Sequence, residues 1–280
     1  MSLTVKELQE RAHYLGSSDI PALLGVSPYQ NQHDLWLAKT GRLELEPTTN
    51  PAADLGDRLE PALVQLVADE LVTRVEFNRR VMHRNGFMSA QLDGWLPDLN
   101  RSIEAKTRGL FNPTWDGSDW GDGRDDIPFD VLAQTQFALL VTNCDAVEVV
   151  ALLGRGMGVR RYTVTRRDSL IELIEERATR FWEDNVRADV PPEYTPHVDT
   201  LKRVVREPGK SVEVDHELPF EWEAAKEEEA AAKARVEEVK AKVLTVLGDA
   251  EQGVTPYGGW TYTPNKNGTR VLRYKGPKGS

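Results

Sequence analysis

Asp93, Glu104 and Lys106, within the stretch LDGWLPDLNRSIEAK, are the residues whose types and spacing could build a metal-assisted hydrolytic centre. On a strand, residues two apart share a face, so Glu104 and Lys106 project together while Ala105 points away toward a core. Asp93 ends the preceding strand-like run, and a hairpin joining the two runs sets its carboxylate beside Glu104. Two carboxylates and the Ala105 carbonyl form a hard, all-oxygen donor set. Such a set suits Mg²⁺, with Mn²⁺ as the substitute, holding several waters and a substrate phosphate. Lys106 would then position or deprotonate an attacking water, and the metal would polarise the phosphate and stabilise the departing oxygen. Alone, the pattern D-x(10)-E-x-K is weak, because these residue types are common; a pair of solvated strand charges is its simpler reading.

The elements that must position these residues are legible as changes of period. TRVEFNRRVMHR, GFMSAQLDGWL and SIEAKT alternate as strands and are separated by Asn, Gly or Asp, which predicts an antiparallel meander. Before them, Thr4 and Glu7 fit a capping box opening a short helix to about His13. Gly16, Ser17, Ser18 and Asp19 lead into a second short helix with Ala22, Leu23 and Leu24 as its apolar face and Gly25 as its stop. DLWLAKTG is a third helix ending at Gly41. A longer one carries Leu55, Leu59, Leu63, Leu66, Val67 and Leu71 at helical spacing.

Residues 108–128 show no period and are rich in Asp, Gly and Trp, which reads as a solvated, mobile flap over the site. Trp115 and Trp120 there would either stack on an unpaired base or anchor the loop. FDVLAQTQFALLVTN reads as a helix, VEVVALL and VRRYTVT as strands, and DSLIELIEERATRFWEDNV as an amphipathic helix capped by Asp168. After Pro191 and Pro192 the chain turns polar. A helix of about 28 residues then ends at Gly248, followed by two strand-like runs around the turn at residues 265–268. That helix sets Ala and Val on overlapping faces, with Phe220 and Trp222 at its start, and would pack on the preceding domain or on another subunit.

Composition narrows the classes. The chain has 280 residues, 40% hydrophobic, with a formal net charge of −10, which excludes a generally basic nucleic-acid coat but not an enzyme that handles DNA locally. Residues 201–280 carry 14 Lys and Arg against 13 Asp and Glu, and the final stretch PNKNGTRVLRYKGPKGS contains no acid. Trp260 and Tyr262 just before it and Tyr274 within it set aromatics among cations, which suits contact with DNA or an acidic partner. No run approaches the roughly 18 to 20 apolar residues of a membrane span, and the first 20 residues lack a secretory apolar core, so neither a membrane nor a secreted protein is expected. One cysteine, Cys144, reads as a buried core residue and suits a reducing cytoplasm. The five histidines lack HxxxH or HExxH spacing, which argues against a histidine zinc enzyme.

Several segments in order add specificity: RAHYLGSSDIPALLGVSPYQNQHDLWLAKTGR, LGDRLEP, MSAQLDGWL, LAQTQFALLVTNCDAVEVVAL and FWEDNVRADVPPE. Over residues 11–192 the chain resembles the lambda-type phage exonucleases, the YqaJ-like viral recombinases, within the PD-(D/E)xK nuclease superfamily. The resemblance implies a mixed α/β (α+β) restriction-endonuclease-like core. It implies that Asp93, Glu104 and Ala105 hold metal, that Glu60 approaches the metals from a helix across the cleft, and that Lys106 and Gln134 serve the attacking water. Taken alone, Glu60 reads as a surface helix charge and Gln134 as a helix glutamine bonded to a loop; Gln136 should face elsewhere. Arg11, Ser17 and Ser18 fall where the family holds a phosphate at the DNA end, which suits hydroxyls and a guanidinium near a helix N-terminus. One departure is that Gln91 and Leu92, with no proline, precede Asp93, which leaves Asp98 as a competitor for the metal.

The implied activity is Mg²⁺-dependent, 5′ to 3′ digestion of one strand from double-stranded DNA ends. It would act in the cytoplasm of a bacterial host, from a phage or prophage gene, supplying single strand to an annealing protein. A ring-shaped homotrimer is the assembly implied by processive relatives. The rivals are an endonuclease or repair nuclease of the same superfamily, and a non-catalytic module that binds DNA ends. The expected domains are residues 1–195 for the nuclease, 196–217 for a linker, and 218–280 for a C-terminal helix with a basic hairpin.

Overall fold

The structure, a computed structural model, describes residues 5–44, 51–112, 115–123, 125–154, 156 and 158–276. The chain divides into two units, Met1–Arg206 and Glu207–Ser280. In the first, the described elements are α1 (Val5–Arg11), β1 (Leu15–Gly16), a 3₁₀ turn (Ser17–Asp19), α2 (Ile20–Leu23), α3 (Gln32–Lys39) and α4 (Pro51–Glu70). They continue with β2 (Glu76–Met82), β3 (Met88–Leu96), β4 (Arg101–Arg108), α5 (Phe129–Thr142), β5 (Ala146–Leu153), β6 (Gly158–Thr165), α6 (Asp168–Arg180) and α7 (Val198–Lys202). The expected cap at Thr4 lies outside the described residues.

A mixed six-stranded sheet runs β1-β3-β4-β5-β6, with β2 on the other edge of β3. The expected β2-β3-β4 meander is antiparallel throughout, whereas β4 and β5 run parallel, joined by a crossover containing α5. β5 is buried on both sides, which is why it reads as a continuous apolar run. Val147, Val149, Ala151 and Leu153 join the core beneath α5, and Val150 joins a second cluster beneath α4. β1 was not foreseen, since two residues carry no period; Leu15 and Gly16 pair with Met88 and Ser89.

Several local expectations need correction. In α4 the buried stripe is Leu63, Val64, Val67 and Ala68, while Leu66 is exposed, so the packed face is rotated toward the smaller residues. Arg167, not Asp168, precedes the first turn of α6, and no side chain caps it. Residues 115–123 and 125–128 are largely exposed, as expected, but they are anchored to the sheet and are not a free flap. Trp120 is only 3% exposed and packs on the Tyr162 ring at 5.6 Å. Arg160 and Tyr162 bind the Trp120 and Gly121 carbonyls, and Arg167 pairs with Asp125. Trp120 is therefore an anchor and cannot stack on a base. Cys144 is buried as expected.

Past α6 the helix widens into π-type turns over Phe181–Arg187. The chain then returns across α3: His197 donates its backbone N–H to the buried Asp34 carboxylate at 2.9 Å, Asn31 binds the Thr195 carbonyl, and Leu43 bridges to Val204. The change of unit falls after these contacts.

In the second unit, α8 (Leu218–Leu247) ends at Gly248, whose φ of +54° suits the residue after a helix. It is followed by an antiparallel sheet of β7 (Gln252–Thr255), β8 (Gly258–Pro264) and β9 (Arg270–Lys275). β7 was missed because QGVT is too short to alternate visibly.

The close seating of α4 on the sheet requires Gly94. A Cβ there would lie 2.7 Å from Val64 Cγ1 and 3.0 Å from Ile103 Cδ1, both within packed core. Gly94→Ala is expected to cost roughly 1–3 kcal/mol through overpacking. Urea unfolding checks this, and an unchanged midpoint would contradict the packing described.

Candidate active site

Strands β3 and β4 pair only through Gly94–Ile103, Trp95–Ser102 and Leu96–Arg101. One residue further along each strand, at Asp93 and Glu104, the ladder ends. There the Ala105 N–H donates to Asp93 Oδ2 at 2.8 Å, so a side-chain carboxylate takes the place of a neighbouring-strand carbonyl. In an extended strand the N–H and C=O of one residue point to the same side, so the Ala105 carbonyl faces this same opening. β1 touches the same edge of β3 further back, at Met88 and Ser89, which leaves the edge unpaired between them.

Glu104 and Lys106 project from β4 as the alternation predicts, and their side chains meet at 2.5 Å. Lys106 Nζ also donates to Gln134 Oε1 on α5 at 2.8 Å. Gln136 turns elsewhere: its amide binds the Thr165 carbonyl and accepts from the Arg167 N–H, tying α5 to the start of α6. Asp98 is also elsewhere, on the surface with Arg74 and Thr73, so only Asp93 reaches Ala105.

Across the opening, α4 contributes Glu60 to a cleft of about 260 Å³ also lined by Gly56, Ala105, Lys106 and Arg108. Gly56 permits this approach, since a Cβ there would lie 3.1 Å from Thr107 Oγ1. Arg108 was not anticipated, although the two-residue rule that selected Glu104 and Lys106 extends to it. It pairs with Asp130 at 2.7 Å.

The electrostatics are those of crowded acids. Burial first, then the charges of Glu104 and Glu60, raise Asp93 well above the ordinary carboxylate range, and Lys106 and the Ala105 N–H only partly offset this. Burial also raises Glu60, assisted by Asp57 and Glu104. For Lys106, burial disfavours the ammonium, but Glu104 and Asp93 outweigh it and hold its pKa above the usual value.

This donor set fits a hard divalent cation. Asp93, Glu104, Glu60 and the Ala105 carbonyl offer only oxygen, and the mutual repulsion that raises Asp93 is what a cation would relieve. Among the described residues, no three His, Cys, Asp or Glu side chains are gathered as a finished cage. Two carboxylates, a carbonyl and water are nonetheless the coordination that Mg²⁺ accepts.

A second polar cluster lies at the turn after β1. Arg11 Nη2 donates to Ser18 Oγ at 2.5 Å and lies 4.0 Å from Asp19. Ser17 Oγ is buried with no hydrogen-bond partner. Asp19, expected at a helix entry, and Lys39, which carries no signal of its own in the sequence, form the buried base of the cluster. They pair at 2.6 Å, Asp19 accepts from the Gly16 N–H, and Lys39 binds the Arg11 carbonyl. Burial pushes Asp19 up, but Lys39 and Arg11 outweigh it and hold the acid below its ordinary pKa. One lysine near the end of a helix is normally solvated, which is why Lys39 does not stand out.

Residues 8–145 match the YqaJ-like viral recombinase domain. Over this stretch the chain is similar to that domain. The matched stretch includes Arg11, Ser17, Ser18, Glu60, Asp93, Glu104, Lys106 and Gln134. The uncharacterized protein YqaJ of Bacillus subtilis (strain 168) is 23% identical over 258 residues, covering 88% of this chain and 79% of that protein. Among solved structures, the alkaline exonuclease LHK-Exo of Laribacter hongkongensis aligns with a TM-score of 0.51 at 20% identity, covering 71% of this chain and 97% of that one. The structure of LHK-Exo in complex with dAMP aligns at 0.53, also with 20% identity, over 67% and 94% of the two chains. The first unit thus has a mixed α/β fold similar to that of LHK-Exo.

Because Asp93 is raised in the fold, its ionisation opposes folding. The stability of the cation-free protein should fall as pH rises from the ordinary carboxylate range through the raised value. Asp93→Asn keeps an acceptor for the Ala105 N–H without the charge. In EDTA at pH 8 it should be more stable than wild type. The gap should close toward pH 4. Thermal unfolding across pH checks this; an equally large gap at both pH values, or a destabilised variant, would contradict it.

Proposed function

We propose that this chain is a divalent-metal-dependent exodeoxyribonuclease that digests one strand of duplex DNA from its 5′ end. The observation that carries the reading is the opening where β3 and β4 part. There Asp93 accepts from the Ala105 N–H beside a cleft lined by Glu60, Ala105 and Lys106, and Lys106 is held between Glu104 and Gln134. The similarity to the YqaJ-like domain and to the LHK-Exo fold supports it.

In this reading Asp93, Glu104 and the Ala105 carbonyl hold Mg²⁺ or Mn²⁺, with Glu60 supporting a second ion from α4. The bound cation supplies charge to polarise the phosphate and stabilise the leaving oxygen. Lys106 is a proton donor in this setting, since its neighbours favour the ammonium. It orients the attacking water through its N–H groups, and Gln134 fixes the lysine and accepts from that water. Water adds to phosphorus, the bond to the 3′ oxygen breaks, and that oxygen takes up a proton. The product is a nucleoside 5′-monophosphate, the class of ligand named in the LHK-Exo complex with dAMP.

Arg11, Ser17 and Ser18 are assigned to the terminal phosphate. Ser89, beside the residue that leads into this cluster, lies four residues before Asp93 on β3, about 13 Å at 3.3 Å per residue. The cluster is therefore near enough to grip a strand end while the reacting bond lies at Asp93. Asp19 and Lys39 fix its base.

We further assign the remaining single strand to an annealing protein, and the assembly to a homotrimer around duplex DNA in a bacterial cytoplasm. Residues 1–195 serve as the nuclease, 196–217 as the connection and 218–280 as the appended helix and basic hairpin. Among the described residues, no helix is long and apolar enough to cross a membrane.

Linear duplexes labelled at the 5′ or the 3′ end, digested in Mg²⁺ or EDTA beside a closed circle, test the proposal. The expected result is early Mg²⁺-dependent release of the 5′ label as mononucleotide, no cutting of the circle, and a loss of at least ~100-fold in rate for Lys106→Ala. Cutting of the circle would replace the reading with an endonuclease. Bound but intact DNA would replace it with an end-binding module.

A further inference from the structure

We propose that α8 is a coiled-coil strand that pairs in parallel with α8 of a second copy of this chain, a contact separate from the ring assembly proposed above. Starting from Leu218, alternating steps of four and three residues reach Trp222, Ala225, Glu229 and Ala232, all on one side of the helix. The same steps continue without interruption through Val236, Val239, Val243 and Val246. This is the 3.5-residue period of a supercoiling seam, sustained over four heptads. At 1.5 Å per residue a helix of 30 residues is about 45 Å long, enough for a stable pair.

Within the second unit most of the seam is uncovered, with Val243 partly buried. Trp222 is 64% exposed, Val236 63% and Val246 87%. Of the large apolar residues exposed on α8, only Phe220 lies off the seam. The small sheet of the second unit packs at the end of the helix: Leu247 is buried, with its Cδ2 2.8 Å from where a Cβ on Gly253 would stand. Its neighbour Val246 faces away.

Charges beside the seam favour a second copy as the occupant. In the heptad with Trp222 at the first seam position, Glu221 and Glu228 flank one side and Lys226, Lys233 and Lys240 the other. In a parallel pair, Glu221 meets Lys226 and Glu228 meets Lys233 of the other helix, with Arg235 against Lys240 as the like-signed exception. In an antiparallel pair, Glu221 meets Lys242 and Glu228 meets Arg235, but Lys233 then meets its own copy and Lys226 meets Lys240. The charges therefore favour the parallel pair. Glu229, the polar seam residue, is already held by Lys226 and Lys233 of its own helix at 2.8 and 2.7 Å. A single polar residue at such a position fixes register at some cost in stability.

Sedimentation equilibrium of the full chain tests the pairing. The double variant Val236→Glu, Val239→Glu should lower the weight-average mass or weaken association at least ~10-fold, with far-UV circular dichroism unchanged. Val254→Glu, on a more exposed valine of β7, should leave the mass as in wild type. Val236→Leu, Val239→Leu should retain association. Equal masses for wild type and the double glutamate variant, or an equal fall with Val254→Glu, would overturn the proposal. The readout is independent of nuclease activity, so failure of one reading leaves the other standing.

Discussion

The hydrogen bond from the Ala105 N–H to Asp93 Oδ2 is the constraint on which the rest of the site depends. A continuous β3-β4 ladder would have given that N–H a backbone carbonyl and turned the Ala105 carbonyl into a sheet acceptor. With the ladder ending at Gly94 and Ile103, the edge opens, and a carboxylate satisfies the freed donor at the place where its charge can be used. Gly94 serves the same geometry from the next position, because its missing side chain lets α4 settle close enough to bring Glu60 toward the opening.

This arrangement trades stability for chemistry. Asp93, Glu104 and Glu60 repel one another in a partly buried cleft, and Lys106 compensates for only part of it. The fold bears that cost through two packed clusters, one on each face of the sheet, and through buried polar ties such as Asp34 to His197 and Asp19 to Lys39. The Asp19–Lys39 pair is of the kind that stabilises little in net terms but fixes geometry, since removing either partner strands a buried charge. Here the geometry it fixes is that of Arg11, Ser17 and Ser18.

How much could be read from the sequence follows from the range of the interactions involved. The alternation in IEAK placed Glu104 and Lys106 on one face, and the register of a hairpin placed Asp93 beside them; both are rules of a few residues' reach. Gln134 on one side of α5 and Gln136 on another follow from helical spacing. β1 was invisible because two residues cannot show a period, and its pairing with β3 depends on contacts about 73 positions away. The loop after β4 was misjudged because its composition is polar, while its conformation is set by Trp120 and by cations on β6 and beyond, which no local pattern reveals. Arg108 was overlooked although its spacing was available, and Lys39 because its burial depends on Asp19.

The central claim is that the opening beside Asp93 and Glu104 holds a divalent cation. Titration of Mn²⁺ into the full chain, with free ion counted by electron paramagnetic resonance, addresses it directly. Saturable binding that Mg²⁺ displaces, and that Glu104→Gln weakens at least ~10-fold while leaving the protein folded, is the predicted result. Equal Mn²⁺ binding by wild type and Glu104→Gln, or none by wild type, would contradict the account.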